Sequence, residues 1–71
     1  MKRRALIKKI GAEAKRQGVS WVLAREGGAH SVYVLDGVII PVSRHTELGE
    51  NLAVDIFKEC QPVLGMGWWR K

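Results

Sequence analysis

A histidine that follows a pair of glycines is the feature of this sequence best suited to chemistry. His30 lies two positions after Gly27-Gly28, at the expected start of a β-strand. Histidine has an ordinary pKa that lets it gain and lose a proton near neutral pH. Because the glycines remove side-chain bulk from the neighbouring backbone, a large substrate can approach the imidazole. The segment therefore predicts an acid–base residue acting on a macromolecule. The alternative is a structural histidine that bonds a backbone carbonyl.

The charge of the chain indicates what that macromolecule is. Twelve Lys and Arg stand against seven Asp and Glu among 71 residues, which gives a net charge of +5. A small basic domain is typical of proteins that bind nucleic acid, and RNA is the leading candidate. A basic protein with a solvated, unoccupied face is the alternative. This length predicts a single domain, with a core over about residues 3–62 and a C-terminal tail over 63–71.

RNA can be cleaved without a metal ion because its own 2′-hydroxyl is the nucleophile. A neutral imidazole can accept the 2′-OH proton, and an imidazolium can protonate the departing 5′ oxygen. A cation must also stabilise the charge that develops on the phosphorane. The candidates near His30 are Lys8, Arg25 and Arg44. His45, in a polar loop, is either a second proton-transfer group or a phosphate contact.

Other kinds of catalytic site find no support in the sequence. The acidic residues are scattered and form no Asp-x-Asp or Glu-x-x-His pair, so we expect no metal site and no cofactor. Gly65-Met66-Gly67 precedes tryptophans instead of a helix, unlike a phosphate-binding loop. The single cysteine, Cys60, can form no internal disulfide and lies in an apolar pattern that predicts a core position.

Two helices are expected, one before the three strands in the sequence and one after them. Residues 3–16 repeat apolar side chains every four positions, at Leu6, Ile10 and Ala14. Gly18 predicts a left-handed cap at the end of this helix. Residues 50–60 carry a second apolar face, and Pro62 predicts the end of that helix.

Three strands are expected between the helices, over residues 20–26, 30–35 and 38–42. The glycine pair predicts the first turn. Asp36-Gly37 predicts a tight type I′ hairpin turn, which needs positive φ at both central residues. Pro41 lacks an amide donor, so its strand should lie at the sheet edge or end there.

This order predicts a two-layer α+β fold in which two helices cover one face of a three-stranded antiparallel sheet. Double-stranded-RNA-binding domains have the same order, and their helices and loops contact the sugar–phosphate backbone. The expected RNA contacts are Lys8, Lys15, Arg25, Ser31, Arg44 and His45.

The chain resembles the HicA toxins of HicA/HicB toxin–antitoxin systems over about residues 6–64. The resemblance rests on residues 25–33, on Ile40-Pro41-Val42 and on residues 45–48. The family pattern at the first stretch is a glycine, a small residue that is often serine, and then the catalytic histidine. Gly28-Ala29-His30 matches this pattern, with alanine at the small position.

The resemblance implies a metal-independent and ribosome-independent mRNA endoribonuclease, an mRNA interferase of a type II stress-response system. Its catalytic residue would be His30, and an acidic HicB-type antitoxin would cover the active site. Ala29 departs from the family serine and cannot donate a hydroxyl. A comparable phosphate contact would therefore have to come from Ser31 or from a backbone N–H.

Two other interpretations remain open at this stage. The chain can be a non-catalytic RNA-binding module with a structural histidine. It can also act through Trp68 and Trp69, which would stack on bases or pack against a partner protein. For a chain this short, a tryptophan folded back onto the core, or a dimer contact, is the favoured interpretation of that pair. No apolar segment reaches the roughly 20 residues that span a bilayer, and the basic start lacks the apolar region of a signal peptide. We therefore expect a cytoplasmic protein with no membrane partner.

Overall fold

The computed structural model describes residues 1–70. Its elements are α1 (Arg3–Gln17), β1 (Trp21–Gly27), β2 (His30–Leu35), β3 (Val38–Ser43), α2 (Glu50–Glu59), α3 (Gln61–Leu64) and a 3₁₀ turn (Trp68–Arg70). The strands form one antiparallel sheet in the order β1-β2-β3. The predicted α-β-β-β-α arrangement is confirmed, and several predicted ends differ by a single residue. None of the described helices is long and apolar enough to cross a membrane.

Both long helices pack against the same face of the sheet. Strand residues alternate between the two faces, so the inner face of β2 and β3 presents Leu35, Ile40 and Val42, all fully buried. These side chains share one core with apolar residues of both helices, which include Leu6, Ile10, Ala14, Ala53, Ile56 and Phe57. The opposite face of the sheet carries His30 and stays uncovered over much of its area.

The hairpin turns follow local backbone chemistry. Asp36 and Gly37 have φ of +47° and +86°, as the predicted type I′ turn requires. Gly27 is the last residue of β1 and pairs with His30. The first turn is therefore Gly28-Ala29, one residue later than predicted, with Gly28 at φ +54°.

The end of α1 and the start of the sheet are packed closely together. Gly18 has φ +74°, which confirms the left-handed cap, and the next amide, Val19 N–H, donates to Ala14 O at 2.9 Å. A Cβ added to Gly11 would lie 3.2 Å from Cδ1 of Trp21. The glycine therefore leaves room for an indole that stacks on Tyr33 at a centroid distance of 4.4 Å.

The third strand lies at the sheet edge, as Pro41 predicted. Pro41 stands opposite Val32, and the strand continues to Ser43 without ending at the proline. An edge strand tolerates a residue without an amide donor because one side of its backbone makes no ladder bonds.

The segment after α2 belongs to the core. Trp68 is 3% exposed, and its indole N–H donates to Phe57 O at 2.9 Å. Trp69 packs on Phe57 at 5.8 Å between ring centroids. The prediction that a tryptophan folds back is confirmed, and the core extends past its predicted end at residue 62. Cys60 is buried as predicted. Pro62 lies in the first turn of α3, directly beyond the end of α2.

Candidate functional site

A bulge in β1 determines which side chains share a face with His30. Leu23 pairs with Tyr33 and Arg25 pairs with Val32, so one extra residue stands between the two pairs. Such a bulge reverses the alternation of every following side chain. It brings Arg25 to the outer face with His30 and turns Glu26 toward the inner face opposite Ser31.

Two histidines line one cleft of about 440 Å³ between the outer side of β3 and α2. His30 enters it from the start of β2, and His45 enters from the loop after β3. The remaining walls include Pro41, Ser43, Leu52, Ile56 and Glu59. Both histidines are exposed. Within residues 1–70 no protein group hydrogen-bonds either ring, so both imidazoles are open to a substrate.

Backbone contacts fix the loop that carries His45. The His45 amide donates to Ser43 Oγ at 3.3 Å, and the Arg44 amide donates to Ala29 O at 3.1 Å. The loop is thereby tied to the turn that precedes His30. Ser43 and His45 line the cleft, whereas Arg44 and Thr46 line a second pocket.

Glu59 is a member of the cleft that sequence reasoning missed. It lies on α2 three positions after Ile56 and seven after Leu52, so all three share a helix face. Partial burial raises the pKa of the Glu59 carboxyl, and the nearby Asp55 carboxylate adds to this effect. Its helical spacing with Leu52 and Ile56 is visible in the sequence, but only the packing of α2 against β3 brings this helix face next to His30.

Ser31 does not have the role expected of it. Its side chain is 0% exposed. Its Oγ accepts a 2.6 Å hydrogen bond from Arg3 Nη2 and donates to Glu26 Oε1. The prediction that Ser31 contacts RNA is therefore wrong for this structure, because its hydroxyl already has internal partners and no solvent access.

The same contacts control the charge of Glu26. The Ser31 hydroxyl lowers the pKa of the Glu26 carboxyl, and Arg44 and Arg3 lower it further, while desolvation opposes them. Glu26 thus stays ionised and helps to orient Arg3, whose Nε also donates to Ser43 O at 2.9 Å.

The predicted cations fall into separate groups. Arg44 lines a pocket of about 350 Å³ together with Lys2, Arg3, Arg4 and Thr46. Gly27 is the cross-strand partner of His30, and Arg25 lies two positions before Gly27 on β1. Arg25 is therefore a diagonal neighbour of His30 on the outer face of the sheet. Diagonal neighbours in a sheet are about 7–8 Å apart, which long side chains can bridge.

Lys8 and Lys15 are exposed on α1. Lys8 lies two residues from both Leu6 and Ile10, which are buried, and so faces away from the sheet. It and His30 lie on opposite sides of the two-layer fold, so the expectation that Lys8 adjoins His30 is wrong. Lys15 is likewise on the helical layer, away from the cleft.

Among residues 1–70 no three His, Cys, Asp or Glu side chains are grouped so that they could hold a metal ion. The chemistry that the cleft can perform with its own groups is proton transfer by imidazole and carboxyl, next to a strongly cationic pocket.

No family model, no curated protein and no solved structure matches this chain.

Proposed function

We propose that this protein is a metal-independent endoribonuclease whose cleft holds the scissile phosphodiester against His30 and His45. The observation that carries the proposal is the presence of two unpartnered imidazoles in one open cleft, within residues 1–70, beside a pocket lined by four basic side chains. Paired proton-transfer groups and local cations are what cleavage by the 2′-hydroxyl needs.

The reaction follows from those groups. One imidazole accepts the 2′-OH proton while O2′ attacks the adjacent phosphorus. The P–O5′ bond then breaks, and the other imidazole, as imidazolium, gives its proton to O5′. The products are a 2′,3′-cyclic phosphate and a 5′-hydroxyl, so atoms and protons balance. Each acid–base contribution is worth about 10²- to 10⁴-fold in rate.

The second proton-transfer group is His45, because its loop brings it into the cleft that His30 occupies. Glu59 lines the same cleft, where partial burial raises the pKa of its carboxyl. Arg25 is a diagonal neighbour of His30 on the outer face of the sheet, and it is the cation proposed to stabilise the phosphorane.

The resemblance to HicA toxins adds a biological setting to the proposal. In that setting the protein is the toxin of a type II pair, and it cuts mRNA in the cytoplasm. An acidic HicB-type antitoxin would cover the cleft. The net charge of +5 favours an acidic partner, since complementary charge speeds association. An adjacent gene for an acidic HicB-like protein that co-purifies with this chain and restores growth would support this setting.

The decisive experiment incubates the purified protein with RNA in EDTA and identifies the ends of the products. We expect 2′,3′-cyclic phosphate ends, and we expect His30→Ala and His45→Ala each to lower kcat by at least about 10²-fold. Lys9→Gln, which changes an exposed residue of α1, is the control and should cleave normally. Circular dichroism establishes that each variant is folded.

Two outcomes would overturn the assignment. A folded His30→Ala variant that cleaves at the wild-type rate would remove His30 from the mechanism. Intact RNA that wild-type protein still shifts on a gel would identify a non-catalytic RNA-binding module, the alternative that the same basic surface supports.

A further inference from the structure

The pocket beside the His30 cleft has an unusual charge. Its cavity of about 350 Å³ is lined by Lys2, Arg3, Arg4, Arg44 and Thr46, so four of its five lining residues are cationic. These residues come from the start of α1 and from the loop after β3. The two segments are far apart in the sequence, and the fold brings them together. Like charges gathered in this way repel one another unless an anion lies among them.

The protein's own acidic groups neutralise these cations only in part. Arg3 donates to two uncharged oxygens, Ser43 O and Ser31 Oγ. Lys2 Nζ lies 3.8 Å from Glu47 Oε1, and the other oxygen of that carboxylate is 2.8 Å from the Met1 ammonium.

The remaining two cations lack direct acidic partners. Within residues 1–70 neither Arg4 nor Arg44 forms an ion pair within 4.0 Å. Arg44 interacts with Glu26 only over a longer distance, and that carboxylate already accepts the Ser31 hydroxyl.

The backbone adds to the same potential. α1 begins at Arg3, and its first turn has no acidic residue and no side-chain cap. The Arg3 amide donates to Thr46 O at 2.9 Å, so it has a partner. The positive end of the helix dipole therefore faces the four cations, an arrangement that favours an anion at this point.

One short loop separates this pocket from the cleft. Ser43 and His45 face the cleft, and Arg44 and Thr46 face the pocket. A nucleic-acid strand that lies across the loop would present successive phosphates to the two sites. The loop is held in place by the Arg44 amide bond to Ala29 O.

From this placement we propose that the pocket is a phosphate subsite, in which Lys2, Arg4 and Arg44 bind the phosphodiester next to the one in the His30 cleft. Naming RNA as the source of that phosphate rests on the function proposed above, whereas the anion site itself rests on the pocket alone. Arg3 acts as a positioning residue, since it fixes Ser31 and the end of β3.

The experiment measures binding of an uncleavable 2′-O-methyl RNA oligonucleotide at several salt concentrations. We expect Arg4→Gln and Arg44→Gln each to weaken binding by about tenfold, the loss for one charge-assisted hydrogen bond. Each should also reduce the slope of log affinity against log salt by about 0.7, the value for one phosphate on a single strand. Lys9→Gln removes the same charge from an exposed site on α1 away from this pocket and is the matched control.

The outcomes separate this proposal from the proposed function. If wild-type protein cleaves RNA but Arg4→Gln and Arg44→Gln bind as Lys9→Gln does, the subsite is overturned and the nuclease stands. If no cleavage occurs but both variants lose affinity and slope, the subsite stands and the nuclease is overturned. Failure of wild-type protein to bind the oligonucleotide at all overturns the subsite. Inorganic phosphate that binds as tightly as the oligonucleotide would identify free phosphate as the ligand instead of RNA.

Discussion

Nη2 of Arg3 lies 2.6 Å from Oγ of Ser31 and donates a hydrogen bond to it across the interface between α1 and the sheet. The Ser31 hydroxyl in turn donates a hydrogen bond to the carboxylate of Glu26 on the neighbouring strand. These two hydrogen bonds join α1, β1 and β2 immediately beside His30. The residue next to the candidate catalytic histidine therefore has a structural task, and the position of the imidazole depends on it.

Ser31→Ala should destabilise the fold without removing a direct RNA contact. It leaves the part-buried Arg3 guanidinium short of one acceptor, and losing a partner of a charged group costs about 1 to 3 kcal/mol. Urea unfolding measures this loss. The salt dependence of RNA binding should remain at the wild-type slope. A lower slope in a variant of undiminished stability would instead show that Ser31 contacts phosphate directly.

Trp68→Ala should be the more damaging of the two tryptophan substitutions. Removing a buried tryptophan costs about 3 to 5 kcal/mol, whereas a chain of this length has a total stability of only about 4 to 11 kcal/mol. Trp69→Ala, at a partly buried position, should cost clearly less. Thermal unfolding followed by circular dichroism compares them.

The reverse order of the two tryptophan effects would contradict the packing described here. The same packing bears on any partner-binding role of this segment. Deleting residues 65–71 removes part of the core, so Trp69→Ala is the cleaner variant for testing such a role.

Acid should weaken the fold partly through Glu26. Its pKa is held below the ordinary value of 4.5, chiefly by the Ser31 hydroxyl. A carboxyl with a lowered folded-state pKa contributes stability above its unfolded pKa and loses that contribution as pH falls through the folded value. Glu26→Gln should therefore flatten the acid side of the stability profile. Urea midpoints measured from pH 6 downward provide the measurement.

Glu59→Gln is the matched comparison, because burial shifts the Glu59 pKa in the opposite direction. A raised folded-state pKa means that the ionised carboxylate disfavours the fold at neutral pH. This variant should therefore be slightly more stable than wild type at pH 7 and should lose slightly more stability than wild type as pH falls, the opposite of the change expected for Glu26→Gln. Identical profiles for the two variants would contradict the contacts assigned to Glu26.

Cys60 should be inert while the protein is folded. Burial raises the pKa of its thiol to about 12, so almost no thiolate forms near neutral pH. Labelling with iodoacetamide at pH 8 should therefore proceed at the rate of unfolding and should be much faster in Trp68→Ala. Rapid stoichiometric labelling of the native wild-type protein would contradict the burial of this side chain.

The candidate site was only partly predictable. His30 could be found from the glycine pair and the strand start, and Arg44 from its charge and loop position. The bulge at residue 24 had no sequence signal, and it decides that Arg25 shares a face with His30 while Glu26 does not. Glu59, Lys2 and Arg3 were missed because they enter their sites from elements distant along the chain.

Local chemistry is what the sequence determined by itself. The order of elements, the Asp36-Gly37 turn and the Gly18 cap follow from side-chain period and from φ restrictions within a few residues. The tertiary structure alone decided that Ser31 is buried, that His45 and His30 line one cleft, and that four cations share one pocket. Those outcomes depend on which faces of separate elements pack together, and the packing energy that selects them is shared among residues far apart in the chain.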